Sequence, residues 1–347
     1  MPLNSKALAV LFVVILALAG VLLFGLPSRQ TSGERTVVVY TSVDPEYAKA
    51  LFDKFTQESN IRVEFRTDSE ASKSTGMAER LLQMKDNPDG DVFWNSELSL
   101  TQVLANNNAL MPYASPSAKD IPAEFKDAKD RWTGFGCRAR VIIFNTTLIK
   151  REDVPTSLDG LADPRWKGRA TVPKPLFGTT RSHFVSLVLE LGEEKAFKLF
   201  QAWRDNGVVL AESNSDVRNR VADGYFAFGL TDSDDAFEGQ AGGKPVDFVV
   251  PDQSGDWHGA YLVPNTVSIL NKCRHPDGAR AFVDYLLRPE TEGWLAANGA
   301  HQIPVRDIPG VKSPVPLGNL KPAHVDVEKL GQQVLPVAER IYRVWEK

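Results

Sequence analysis

Cysteine is scarce: the 347 residues hold only Cys137 and Cys273, which excludes a disulfide framework and a thiolate metal cluster. We read them as two separate small buried thiols, although pairing is not legible from sequence. Histidine is nearly as sparse, with five residues standing singly at 183, 258, 275, 301 and 324, so no His-Glu-x-x-His helix is present. No Gly-x-Ser-x-Gly elbow occurs either. Gly134-Phe-Gly-Cys-Arg-Ala139 has the letters of a dinucleotide fingerprint, but a β-branched strand follows where a helix is required. Gly239-Gln-Ala-Gly-Gly-Lys-Pro lacks the spacing and hydroxyl of a phosphate loop. With no nucleophile and base in a recognisable arrangement, a binding protein is expected rather than an enzyme. Basic blocks of five are missing too, and a net charge of -4 argues against nucleic acid and for a small ligand.

What the chain does have is a long apolar leader. Residues 7–26 form a nearly unbroken hydrophobic run of roughly 20 residues, the length that spans a bilayer. No clean Ala-x-Ala site follows it, so residues 1–35 read as a signal sequence or, by preference, a retained anchor with its linker. Either form exports the remainder to the periplasmic or outer face of the cytoplasmic membrane. At 347 residues and 43% hydrophobic, the chain exceeds what one core supports, and two lobes of roughly 100–150 residues are expected.

Strand and helix signals alternate. The run Val37-Val-Val-Tyr-Thr-Ser-Val-Asp44 reads as a buried parallel strand feeding a loop. A helix starts near Pro45, with Tyr47, Leu51 and Phe55 on one face. Strands are expected at 61–65 and 91–94, helices around 81–85 and at 98–106, with a polar loop at 68–76 carrying Glu70. This order builds a doubly wound parallel sheet. A strand at 141–144 is read as the first passage to the second lobe. There, strands at 168–172, 208–211 and 225–230 alternate with helices at 178–191, 193–206 and a short one capped by Asn214. Extended segments at 247–251, 261–264 and 266–270 cross back. Helices at 279–287 and 291–298, a short strand at 302–305 and a helix from 327 complete the chain. The predicted fold is α/β and two-lobed, each lobe a doubly wound mostly parallel sheet. Residues 36–140 and 258–305 form lobe 1, 141–257 form lobe 2, and 306–347 a helical tail on both.

Ligands in such sheets sit beyond the carboxyl ends of strands, so Tyr40, Thr41, Ser42 and Asp44 form one candidate wall. Glu97 falls just past another strand, and Glu70 is a weaker acid in its loop. Gly178-Thr179-Thr180 opens a helix whose free N–H groups suit an anion or ordinary capping. Arg138 and Arg140, two apart on an extended segment, either add charge there or lie on a solvated face. Asp232-Ser-Asp234-Asp235 sets three carboxylates in four residues past a strand end, either around a cation or as the acidic first turn of a helix.

Together these blocks resemble a class II periplasmic solute-binding protein of an ABC importer, most similar to the ferric-ion-binding branch. The residues carrying the resemblance are Val38-Val-Tyr-Thr-Ser-Val-Asp44, Gly90-Asp-Val-Phe-Trp-Asn-Ser-Glu97, Gly136-Cys-Arg-Ala-Arg-Val-Ile-Ile-Phe-Asn145, Trp166-Lys-Gly-Arg169 and Pro264-Asn-Thr266. In order, they cover about residues 37–305. The resemblance implies a two-lobed clamp that closes on its ligand and delivers it to a membrane permease. It also implies a metal set of Asp44 (for the family's histidine), Glu97, and Asp234 with Asp235 (for its tyrosine pair). The family's anion pocket maps onto Thr179, Thr180 and Asn214, with Asp232 in place of a neutral amide. Without phenolates, the expected ligand is an oxygen-coordinated metal ion, Ca²⁺, Mg²⁺ or Mn²⁺ as well as Fe³⁺, bound with a synergistic anion. No catalytic cofactor is expected, and the protein is expected to act as a monomer. The alternatives are a small phosphate- or phosphonate-containing solute held at residues 178–180, a membrane-anchored enzyme, or a sensor module.

Overall fold

Val37, Val38 and Val39 are buried because β1 (Thr36–Thr41) lies inside its sheet, flanked in parallel by β2 (Arg62–Thr67) and β3 (Val92–Asn95). The computed structural model describes residues 35–67, 75–255, 258–313 and 315–346. The apolar leader and Glu70 lie outside the described residues. Helices α1 (Pro45–Ser59), α2 (Thr75–Gln83) and α3 (Ser99–Asn106) follow the first three strands in alternation. A two-residue strand, β4 (Leu110–Met111), was not anticipated.

The passage at 141–144 is one end of a much longer strand, β5 (Thr133–Asn145), buried along its whole length. Its residues 133–139 pair with β10 (Leu262–Leu270), and its residues 140–145 pair with strands of the second half. The two extended segments expected at 261–264 and 266–270 are this single β10, with a register shift between Pro264 and Asn265. Proline gives no N–H to the ladder, and Gly136, the unpaired residue between Phe135 and Cys137, takes φ +43 and bulges out where pairing fails.

The second half repeats the first. β6 (Ala170–Pro173) runs parallel to β7 (Val209–Ala211) and β8 (Phe228–Asp232), with α4 (Gly178–Leu191), α5 (Glu193–Asp205) and α6 (Asn214–Ala222) between them. After α7 (Ser233–Ala241), β9 (Val246–Val249) returns antiparallel to β5. The strand order is β2-β1-β3-β10-β5-β8-β6-β7, parallel at both ends and antiparallel where β5 and β10 cross.

Helices α8 (Pro276–Leu286) and α9 (Pro289–Ala297) cover the first half, where Phe282 meets Phe52 and Phe55 at ring-centroid distances of 5.7 and 5.1 Å. The strand expected at 302–305 is only an isolated bridge from Cys137 to Ile303. Side chains hold that segment instead: Glu292 accepts from the Gly136 and Val305 N–H groups and from Arg306, each at 2.8 Å. Helix α10 (Val327–Tyr342) packs its buried Leu330, Val334 and Ile341 stripe against both α3 and α4, tying the halves together. Both cysteines are free. Among the described residues, no helix is long and apolar enough to cross a membrane.

Candidate binding site

At the carboxyl end of β1 the side chains alternate, and the alternation divides the candidate wall. Tyr40 points away from the crevice, with its hydroxyl donating to Asp89 Oδ1 at 2.6 Å. Thr41 is buried and accepts from the Val43 N–H at 3.1 Å. Ser42 donates to Asn95 Oδ1 at 2.6 Å and accepts from the Ser96 N–H at 2.9 Å, pinning the two strand-end loops together. Only Asp44 of this stretch carries an acid to the opening.

Glu97 does not join it. Its carboxylate is fully buried and accepts from the N–H groups of Ser99 at 2.6 Å and Leu100 at 3.1 Å, with Arg181 Nη2 at 3.7 Å. Glu97 thus serves the unpaired amino end of α3, a use that position along the chain could not distinguish from a ligand role.

The expected anion pocket is assembled but already filled. Asp232, 2% exposed, accepts from Arg140 Nη1 at 2.8 Å, from Thr179 Oγ1 at 2.8 Å and from Asn214 Nδ2 at 3.0 Å. Arg140 also donates to Asn214 Oδ1 at 2.8 Å, and Thr180 Oγ1 to the same oxygen at 3.4 Å. Asn214 is free for this because Ser213, not Asn214, caps α6. The arginines are therefore interior groups rather than a solvated face, both leaving one side of β5. A phosphate ester at residues 178–180 would have to displace Asp232.

Asp232, Asp234 and Asp235 keep carboxylate oxygens within 4.8 Å of one another. They serve different neighbours, and two of them lie in the acidic first turn of α7. Asp235 accepts from Thr231 Oγ1 at 3.1 Å and faces Arg218 at 3.8 Å. Asp234 faces Arg138 at 3.9 Å across a cavity of about 30 Å³, which Asp44, Ser96, Gln302 and Tyr47 also line. Burial pushes the Asp234 carboxyl up to about 7, with the charges of Asp232 and Asp44 adding to the rise and Arg138 opposing it. Asp235 is raised too, first by burial and then by Asp234 and Asp232. Of the four expected metal ligands, Asp44 and Asp234 meet at one cavity; Glu97 and Asp235 are turned elsewhere.

Residues 95–323 match the model of the bacterial extracellular solute-binding proteins. The chain belongs to that family. The solute-binding protein is 26% identical over 334 residues to the Fe(3+)-binding periplasmic protein of Serratia marcescens, covering 92% of this chain and 94% of the relative. It is 25% identical over 325 residues to iron uptake protein A1 of Synechocystis, covering 90% and 88%. Its fold matches iron-bound HitA from Pseudomonas aeruginosa with a TM-score of 0.78 at 20% identity, over 89% of this chain and 98% of that one. The expectation of a binding protein rather than an enzyme agrees with this membership.

Sequence reasoning passed over three residues of the solute-binding protein's site. Tyr47 sits in the apolar stripe of α1, yet its ring lines the cavity and its hydroxyl donates to Gly299 O at 2.9 Å. Burial raises its phenol, with Glu46 and other acids adding to the effect. Ser96 and Gln302 carry no signal of their own; strand pairing and the Glu292 network bring them in.

Proposed function

We propose that this solute-binding protein captures a hard, oxygen-coordinated metal cation, of the iron type bound by its named relatives, and hands it to an ABC permease outside the cytoplasmic membrane. It acts as a monomer, with residues 36–140 and 258–305 closing on residues 141–257 and β5 and β10 serving as the crossovers. The observation that carries the reading is the meeting of Asp44 and Asp234 at one small cavity, where burial and like charge favour a proton or a cation. A volume of about 30 Å³ accepts a single ion or water and not an organic solute. Carboxylate, amide and hydroxyl oxygens suit Fe³⁺, Mn²⁺, Mg²⁺ or Ca²⁺, and no thiolate or imidazole lines the cavity among the described residues.

Elemental analysis of protein purified without chelator tests this directly, with one equivalent of metal expected. Asp44→Ala combined with Asp234→Ala should lose that metal while retaining the fold. Undiminished metal in the double variant would sink the reading.

A further inference from the structure

The cradle at the amino end of α4 has the chemistry of an oxyanion site. Arg140 is 0% exposed and buried arginine stays cationic, so the cradle holds a full positive charge out of water. Around it stand the hydroxyls of Thr179 and Thr180, the amide of Asn214 and the N–H groups of a fourteen-residue helix's first turn. A second observation points the same way. Arg140 Nε and Nη2 are buried without a hydrogen-bond partner among the described residues, so the guanidinium keeps donor capacity beyond the Nη1 contacts that hold Asp232 and Asn214.

We propose that Asp232 is an intrinsic counter-anion: its carboxylate closes the cradle to free oxyanions, so that capture at the Asp44–Asp234 cavity needs no co-bound phosphate or carbonate. The second clause rests on the metal reading above, whereas the first stands on geometry alone. Both Asp232 oxygens are committed, Oδ1 to Arg140 and Oδ2 to Thr179 and Asn214. A carboxylate supplied by the chain comes with its orientation fixed, whereas a free anion loses translational freedom on binding. The tethered group therefore outcompetes dilute phosphate for the same donors. This proposal departs from the expectation of a synergistic anion drawn from the sequence.

Metal-free protein tests the first clause. In thermal melts and calorimetry with inorganic phosphate, the wild type should show no saturable binding. Asp232→Ala opens the cradle and should bind phosphate at least about tenfold more tightly than the wild type, with a matching rise in Tm. Adding Arg140→Gln to that variant should abolish the gain. Should Asp232→Ala not fold, Asp232→Ser, which keeps a hydroxyl for Asn214, carries the same comparison. Phosphate binding by the wild type equal to that of the variant, or a folded variant indifferent to phosphate, overturns the proposal.

Native mass spectrometry of wild type loaded from ferric nitrilotriacetate tests the second clause, with a mass of protein plus iron alone expected. Retained carbonate, phosphate or nitrilotriacetate overturns it. The same measurement with Mn²⁺, Mg²⁺ and Ca²⁺ follows if iron is absent; absence of all four overturns the metal reading and this clause together, and leaves the phosphate comparison to decide the role of Asp232.

Discussion

Arg138 and Arg140 lie two positions apart, and the strand period sends both guanidinium groups to one face of β5 with different work to do. Arg140 stands under Asp232 and is completely enclosed, so removing it strands a buried carboxylate. Arg140→Met should therefore cost about 3–5 kcal/mol, read as a lower urea midpoint at unchanged m-value. Arg138 donates to the Ser96 carbonyl and faces Asp234, bridging the first-half loop to α7. Glu97 offers a contrast. Glu97→Ala leaves the Ser99 and Leu100 N–H groups without their acceptor and buried Arg181 without its neighbouring carboxylate, and a loss of about 1–3 kcal/mol is expected in the same assay. Metal stoichiometry should nevertheless stay intact, because Glu97 serves α3 and not the cavity. Lost metal in a folded Glu97→Ala protein would restore Glu97 to the ligand set.

At the scale of elements, β5 and α10 each span both halves. The bulge at Gly136 shifts the β5–β10 register a few residues before β5 changes partners at Arg140. A side chain at φ +43 is strained, so Gly136→Ala should destabilise by roughly 1–2 kcal/mol. Helix α10 approaches α3 so closely at Gly331 that an added Cβ would lie 2.6 Å from Gln102 Cγ and 2.9 Å from Asn106 Nδ2. Gly331→Val forces the two helices apart, and overpacking of this kind costs about 1–3 kcal/mol. Hydrogen exchange checks the location as well as the size: protection should fall in both α3 and α10. Unchanged protection in α3 would mean that the contact carries no strain.

For the whole molecule, the raised Asp234 couples folding to pH. Between the ordinary value of 3.8 and about 7, the folded state keeps a proton that the unfolded chain releases. Stability from this group is thus fully present at the acid end and lost as pH climbs through that window. His183 acts with the opposite sign, since burial holds its pKa well below 6.5 and folding gains as pH rises towards that value. Subtracting Asp234→Asn from wild type in the absence of metal cancels the histidine. The variant should melt higher at pH 8, and the gap should narrow as pH falls towards 4. A gap independent of pH would show that Asp234 is not held protonated. On the proposed metal reading a bound cation would take the place of that proton, so metal should raise Tm more at pH 8 than at pH 5.

Local chemistry was legible in the sequence wherever period and punctuation agree. The valines of β1, Pro45 opening α1, Gly178 with its threonines opening α4, and the acids opening α7 are all readable from neighbours along the chain. So was the α/β plan, because alternating strands and helices can bury their apolar faces in few ways. The sequence could not assign the carboxylates, which look alike in a string of letters. Glu97 turns into a helix end, Asp232 onto a buried arginine, Asp235 towards Arg218, and Asp44 and Asp234 into one cavity. Those fates depend on partners far along the chain, as in the Arg140–Asp232 bond, which spans 92 residues. A charge settles where burial and its neighbours together cost least, and that balance exists only once β5, β8 and α4 have come together.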